Sequence, residues 1–272
     1  MSCRSFWSTH PDDLDRLDGE QLRNRFMVSD LFQENRFTFA YVHDDRLLLG
    51  GATLVGSPLA LEAPDELAAE YFLERRELGI VGIDGDLVVT ADDQVFALGP
   101  HDVLYLPCGV RDVTIDGTGT CYLVSSPAYR ATTATLARAS EVEALHLGNE
   151  TEANERIIRK YIHADGIESN QLVLGITTLA EGSVWNTMPA HVHERRTEAY
   201  LYFGLGEAPL VHLMGQPHNT RHLILKDRDV AISPPWSIHS GSGVAAYSFV
   251  WAMAGENIDY TDVSVVDPQG MR

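Results

Sequence analysis

Pro189-Ala-His191-Val-His193-Glu-Arg-Arg-Thr-Glu198-Ala-Tyr200-Leu-Tyr202-Phe203 carries two histidines separated by one residue, then a carboxylate just beyond a polar run. In an extended strand alternate side chains share a face. His191 and His193 therefore point the same way, and Glu198, Tyr200 and Tyr202 form a second alternating set after a tight turn through Glu194–Thr197. A hairpin folded there brings Glu198 opposite both histidines. A third histidine, His239, follows Pro235-Trp-Ser-Ile238 and begins a Gly/Ser-rich turn. Three imidazoles and one carboxylate suit a divalent transition metal that keeps a position open for water or substrate. The same donors accept Zn, Mn, Fe, Ni or Co, so ligand type alone does not name the metal.

Outward from this stretch, the chain reads as short apolar runs broken by Gly and Pro. Asp45–Val55, Glu77–Asp84, Asp86–Ala91, Asp102–Pro107 and Thr120–Ser126 are each of strand length and rich in Val, Ile, Leu and Tyr. Turn signals such as Asp84-Gly85 and Asp116-Gly117 separate them, the pattern of an all-β sandwich or barrel. Helical signals are few: a short helix after Pro64, over Asp65–Phe72, and a turn or two over Thr151–Arg159.

The second half repeats landmarks of the first. Asp102-Val-Leu-Tyr-Leu-Pro107…Asp112 parallels Asp229-Val-Ala-Ile-Ser-Pro234…His239, and Glu74-Arg-Arg76 parallels Glu194-Arg-Arg196. Two matches in the same order point to a duplicated β-barrel. The boundary falls between about residues 130 and 150, giving domains 1–145 and 146–272. At the positions matching the four donors the first domain has Tyr71, Leu73, Leu78 and Asp112. One carboxylate does not hold a transition metal, so this domain is expected to be metal-free.

Bulk properties narrow the partners. The 272 residues carry a formal net charge of -19, from 39 Asp+Glu against 20 Lys+Arg. That field repels nucleic-acid backbones and anionic membrane surfaces. An anionic small substrate would need arginine or lysine inside its pocket. The three cysteines, Cys3, Cys108 and Cys121, match no zinc spacing and fit a reducing compartment. The N-terminal stretch has no apolar run, and nothing approaches a membrane span. The expectation is a cytoplasmic protein.

The donor pattern resembles the two cupin motifs, with Arg228 and Trp236 standing where the second motif places glycines. More specifically, the chain resembles the 5-keto-4-deoxyuronate isomerase family almost end to end. The resemblance rests on Tyr71–Gly79, Gly182–His193, Arg195-Arg196, Glu198–Phe203, Ser233–Gly241 and Trp251–Asn257. It implies a fold of two cupin barrels and a homo-hexamer. It also implies one Zn2+ per subunit, held by His191, His193, Glu198 and His239. The implied reaction converts 5-dehydro-4-deoxy-D-glucuronate to 3-deoxy-D-glycero-2,5-hexodiulosonate in pectin breakdown. An isomerase of another uronate, or a cupin metal oxygenase, would share such a metal site.

An aldose–ketose shift needs a base that reaches carbon. Tyr200, Tyr202, Lys160 and Glu194 are candidates, with none assigned. The substrate carboxylate suits the planar fork of arginine, for which Arg195, Arg196 and Arg221 are candidates.

Overall fold

In the computed structural model, residues 2–256 and 261–272 are described. Asn257, the last residue of the Trp251–Asn257 stretch, lies outside them. The chain is mostly β-strand with few short helices, as its alternating apolar runs predict. It groups into two compact units, one of residues 1–6, 30–142 and 160–174, the other of residues 7–29, 143–159 and 175–272.

The first unit is built on a ten-stranded sheet whose centre runs Leu47–Val55, Val113–Pro127, Arg76–Ala91, Val103–Leu106. A seven-stranded sheet has the matching central order Val173–Leu179, Ser248–Gly255, Arg196–Phe203, Val230–Ser233. The duplication seen in the sequence extends to register. Leu78 faces Leu106 and Val81 faces Val103 in one ladder. Glu198 faces Ser233 and Leu201 faces Val230 in the other. Arg76 and Arg196 each open the long strand of their ladder, and both are buried.

Local chemistry explains where helices do and do not form. Asp65–Leu67 is one 3-10 turn, stopped by Ala68 in the left-handed region at φ 46°. The segment 151–159 departs from its helical reading. A 3-10 turn at Glu150–Glu152 ends on Ala153 at φ 52°, and Arg156–Ile162 then runs as a strand. Its isoleucines fit a pleated, half-buried surface better than a helix. The one α-helix among the described residues, Gly19–Phe26, went unpredicted although its signal is local. The Asp18 side chain accepts hydrogen bonds from the Glu20 and Gln21 N–H groups, and the Gln21 side-chain oxygen accepts one from the Asp18 N–H, a capping box.

The core of the first unit is apolar, with Phe72, Leu73, Leu78, Ile80, Leu104, Leu106 and Leu123 all buried in one cluster. Leu73 and Leu78 are two of the positions that parallel the donor residues. On the opposite face of the same strand sits Glu77, fully buried. Its Oε1 accepts from Ser126 Oγ at 2.9 Å and from the Gln171 and Leu172 N–H groups at 2.7 and 2.8 Å. Its Oε2 accepts from Tyr105 Oη at 2.8 Å and the Asn170 N–H at 2.6 Å. A buried carboxylate persists only when its lone pairs are filled, and here they clamp the 170–172 segment to the sheet. Truncation as Glu77→Ala leaves these buried and half-buried donors without their acceptor. It should cost more than about 3 kcal/mol of unfolding free energy, read from denaturant midpoints. An unchanged midpoint would show the clamp to be dispensable.

Candidate metal centre and active site

Arg196–Phe203 lies between Val230–Ser233 and Ser248–Gly255, and all eight of its residues are buried. Glu198 sits between Ser233 and Met253 on the neighbouring strands. The preceding turn closes with the Arg196 N–H on the His193 carbonyl at 3.3 Å. His191–Val192 does not pair with Arg196–Phe203, as a simple hairpin would require, but with Ser264–Val265. The turn still delivers both histidines to the Glu198 side chain. His239 arrives after a second turn, in which the Ser237 N–H binds the Pro234 carbonyl at 2.9 Å.

The four donor residues converge, each offering one ligand atom within 4.8 Å of the others. His193 Nε2 is 2.9 Å and His239 Nε2 is 3.2 Å from Glu198 Oε2. His239 Nε2 is also 2.9 Å from His191 Nε2. The second ring nitrogens are anchored from behind. His193 Nδ1 is 3.1 Å from the Arg196 carbonyl oxygen, and His239 Nδ1 is 3.1 Å from Ser233 Oγ. A carbonyl only accepts, so Nδ1 of His193 carries the proton and donates it there. In that tautomer Nε2 turns its lone pair towards the carboxylate.

Burial strengthens this polarity. It pushes the imidazolium pKa of His191 down to about 4, with the Glu198 charge opposing, and holds that of His239 well below the ordinary value. These two rings are therefore neutral at pH 7. So many acceptor atoms at hydrogen-bond distance are satisfied by protons shared between them or by a cation held among them. The donor set is of the kind that holds a divalent cation.

A cavity of about 280 Å³ opens on this cluster. His191, His193 and Glu198 line it together with Arg156, Arg196 and Tyr200. Of the four candidate bases Tyr200 alone is part of that lining. Tyr202 Oη is committed to His212 Nδ1 at 2.8 Å in the interior. Glu194 is exposed and lines an adjoining recess that shares His193 and Arg196 with the cavity, and Lys160 is half-buried outside the cavity wall.

Of the three candidate arginines, only Arg196 is brought to the cavity. Arg195 is paired with Asp262 and, at 3.9 Å, with Glu256. Arg221 is bound to Asp15 at 3.0 Å and Asn219 at 2.6 Å, far along the sequence from any donor. Arg156, which no sequence argument singled out, takes the second cationic place in the wall. Its signal was its alternation with Ile158, hidden by the helical reading of that segment.

The fold and site define a cupin-like β-protein with a buried His/Glu cluster of metal-binding composition. Among solved structures, an IolB-like protein from Salmonella typhimurium LT2 superposes with a TM-score of 0.69 at 16% identity, covering 81% of this chain and 87% of that one. Bacillus subtilis oxalate decarboxylase, described with Mn(II) centres, gives 0.56 at 13% identity, covering 80% and 71%. Residues 26–268 match the family model described as KduI/IolB family, and the chain belongs to that family. The 4-deoxy-L-threo-5-hexosulose-uronate ketol-isomerase of Agrobacterium fabrum is 46% identical over 266 residues, with 97% of each chain covered. That of Halalkalibacterium halodurans is 43% identical over 272 residues, with 98% of this chain and 99% of its own covered.

The cavity wall depends on one close approach. Trp251 packs flat over Gly175, and a Cβ built there would lie 2.0 Å from the indole. Trp251 Nε1 donates to Thr177 Oγ1 at 3.1 Å, which fixes the ring. Gly175→Ala should therefore displace Trp251, costing about 1–3 kcal/mol as overpacking and shifting tryptophan emission. An unshifted spectrum with an unchanged melting temperature would contradict this packing.

Proposed function

We propose that this protein is a metal-dependent 4-deoxy-L-threo-5-hexosulose-uronate ketol-isomerase, the activity named for its full-length relatives. The observation that carries the metal dependence is the convergence of three imidazole nitrogens on Glu198 Oε2 at the wall of a cavity that also holds arginines. His191, His193, Glu198 and His239 are the ligands of one Zn2+ per chain in this reading. The two halves, 1–145 and 146–272, are two cupin barrels. Only the second binds metal, because Leu73 and Leu78 of the first are in its apolar core. Assembly as a homo-hexamer and a cytoplasmic location complete the proposal. No helix of the described residues is long and apolar enough to cross a membrane.

The reaction moves a proton from the hydroxyl-bearing carbon beside an aldehyde to the aldehyde carbon. Negative charge gathers on the two neighbouring oxygens while the proton is in transit. A bound divalent cation supplies Lewis-acid stabilisation of that charge. The protein's own groups do the rest. Arg196, buried in the wall, is placed for the substrate carboxylate, and Arg156 adds a second positive charge. The apolar wall of Phe249, Trp251 and Met253 limits water around them, which strengthens each charged contact. Tyr200, on the wall above Glu198, is the group that handles the proton at its Oη.

Dialysis against a chelator should abolish turnover, and a divalent metal should restore it. Conversion of the unsaturated-uronate product in heavy water should place deuterium on the former aldehyde carbon, seen by NMR. Full activity in metal-free protein would overturn the metal's role. Oxygen consumption with the same substrate would instead mark an oxygenase.

The arginines can be told apart kinetically. Arg196→Lys should raise KM on the order of tenfold or more, the worth of a charge-assisted hydrogen bond. Arg195→Ala should change KM by no more than about fivefold, since exposed ion pairs are worth little. Equal effects from both substitutions would unseat Arg196 as the carboxylate anchor.

A further inference from the structure

A second cavity, of about 220 Å³, lies within the first unit. Arg46, Arg75 and Arg76 line it, with Tyr41, Tyr129 and Glu66. By the shared register, Arg76 stands where Arg196 stands in the other ladder. Each of these arginines lines the cavity of its own unit. In the first unit the donor positions behind it have become Leu73 and Leu78. The first unit's pocket thus has an arginine at the corresponding place without the donor residues.

We propose that this pocket is a metal-free binding site for a small sugar carboxylate. The proposal holds whether or not the other site has the activity assigned above. Three of the chain's 20 Lys+Arg residues meet here in a protein of net charge -19. Three guanidinium groups gathered around one recess repel one another and give it a local positive field against the sign of the chain as a whole, a field suited to an anion. Glu66 is the one carboxylate in the lining and also takes a hydrogen bond from the Cys3 thiol, while Glu74 approaches Arg75 only to 3.8 Å, so three guanidinium groups face one carboxylate across the recess.

Arg76 is built in rather than draped over the surface, being 7% exposed. Its Nε donates to Ser125 Oγ at 3.0 Å, and its Nη2 to the Ser125 and Arg46 carbonyls at 2.8 and 2.6 Å. These bonds fix the plane of the guanidinium without using Nη1. The Arg46 carbonyl is held there by backbone in the left-handed region at Asp45 and Arg46, φ 50° and 52°. Such strain persists only where its surroundings enforce it.

A rigid guanidinium plane suits a single carboxylate. The aromatic rings argue for a carbon skeleton attached to it. Tyr41 lies 6.0 Å beneath the Arg76 guanidinium, and Tyr129, 80% exposed, stands at the rim. Such faces suit the C–H surface of a sugar ring, which an inorganic anion lacks.

Arginine footprinting of the metal-replete, full-length protein tests the site. Phenylglyoxal modification of Arg46 and Arg75 would be followed by peptide mass spectrometry with D-galacturonate, D-galactose or inorganic phosphate present. D-galacturonate should slow both modifications, and calorimetry on Arg46→Ala/Arg75→Ala should show that binding event weakened on the order of tenfold or more. D-galactose should protect neither residue. Equal protection by phosphate would reduce the pocket to a general anion site and overturn the proposal. So would absence of protection, or arginines unreactive before any sugar is added. Both substituted residues are exposed, so the variant should fold, as circular dichroism would verify.

Discussion

The donated proton from His193 Nδ1 to the Arg196 carbonyl sets the character of the whole C-terminal site. It turns the lone pair of Nε2 towards Glu198, and the neighbouring rings crowd the same point. The carbonyl belongs to the first residue of the buried strand that also carries Glu198. The orientation of the His193 ring is thus fixed by backbone rather than by a mobile side chain. Outer contacts of this kind fix the tautomer and raise ligand basicity. A cluster of acceptors in a dry interior is unfavourable alone and favourable around a cation. That geometry is of the kind that can hold a metal ion.

The two ladders show how one backbone plan supports opposite chemistries. Leu78 and Glu198 occupy the same place in their sheets, as do Leu106 and Ser233. Where leucines meet, apolar burial consolidates a core. Where glutamate and serine meet, the serine hydroxyl steadies His239 from behind and the glutamate receives the rings. Neither choice disturbs the ladder, because backbone hydrogen bonds carry the register in both. Function therefore rests on a handful of inward side chains rather than on the fold.

Much of the donor set was legible because its rules are local. Period-two alternation placed His191 with His193 and Glu198 with Tyr200, and the Pro234 turn announced His239. The pairing of His191–Val192 with Ser264–Val265 was not legible, since nothing in either dipeptide names a partner so distant. Tyr202 shares the strand face of Tyr200, yet its hydroxyl is claimed by His212 from the Leu210–Gln216 strand. Arg221 is likewise claimed by Asp15, from the other end of the chain. Alternation assigns a face; tertiary packing decides which residues on that face reach the cavity. Arg156 was lost for a different reason, a helical reading that concealed its alternation with Ile158.

A strongly acidic chain acting on an acidic sugar presents a contradiction that distance resolves. Repulsion from surface carboxylates is screened beyond about 8–10 Å in physiological salt, so it slows approach more than it opposes binding. Inside the cavity the balance reverses. Arg196 and Arg156 lie within one wall, sheltered by Phe249 and Trp251, where lower polarisability lengthens the reach of each charge. Within the His/Glu cluster Glu198 is the one carboxylate, so the cluster brings little repulsion of its own. The divalent cation proposed for this cluster would make the site positive overall. The local field then favours a carboxylate and a developing oxyanion together, against the sign of the protein that surrounds them.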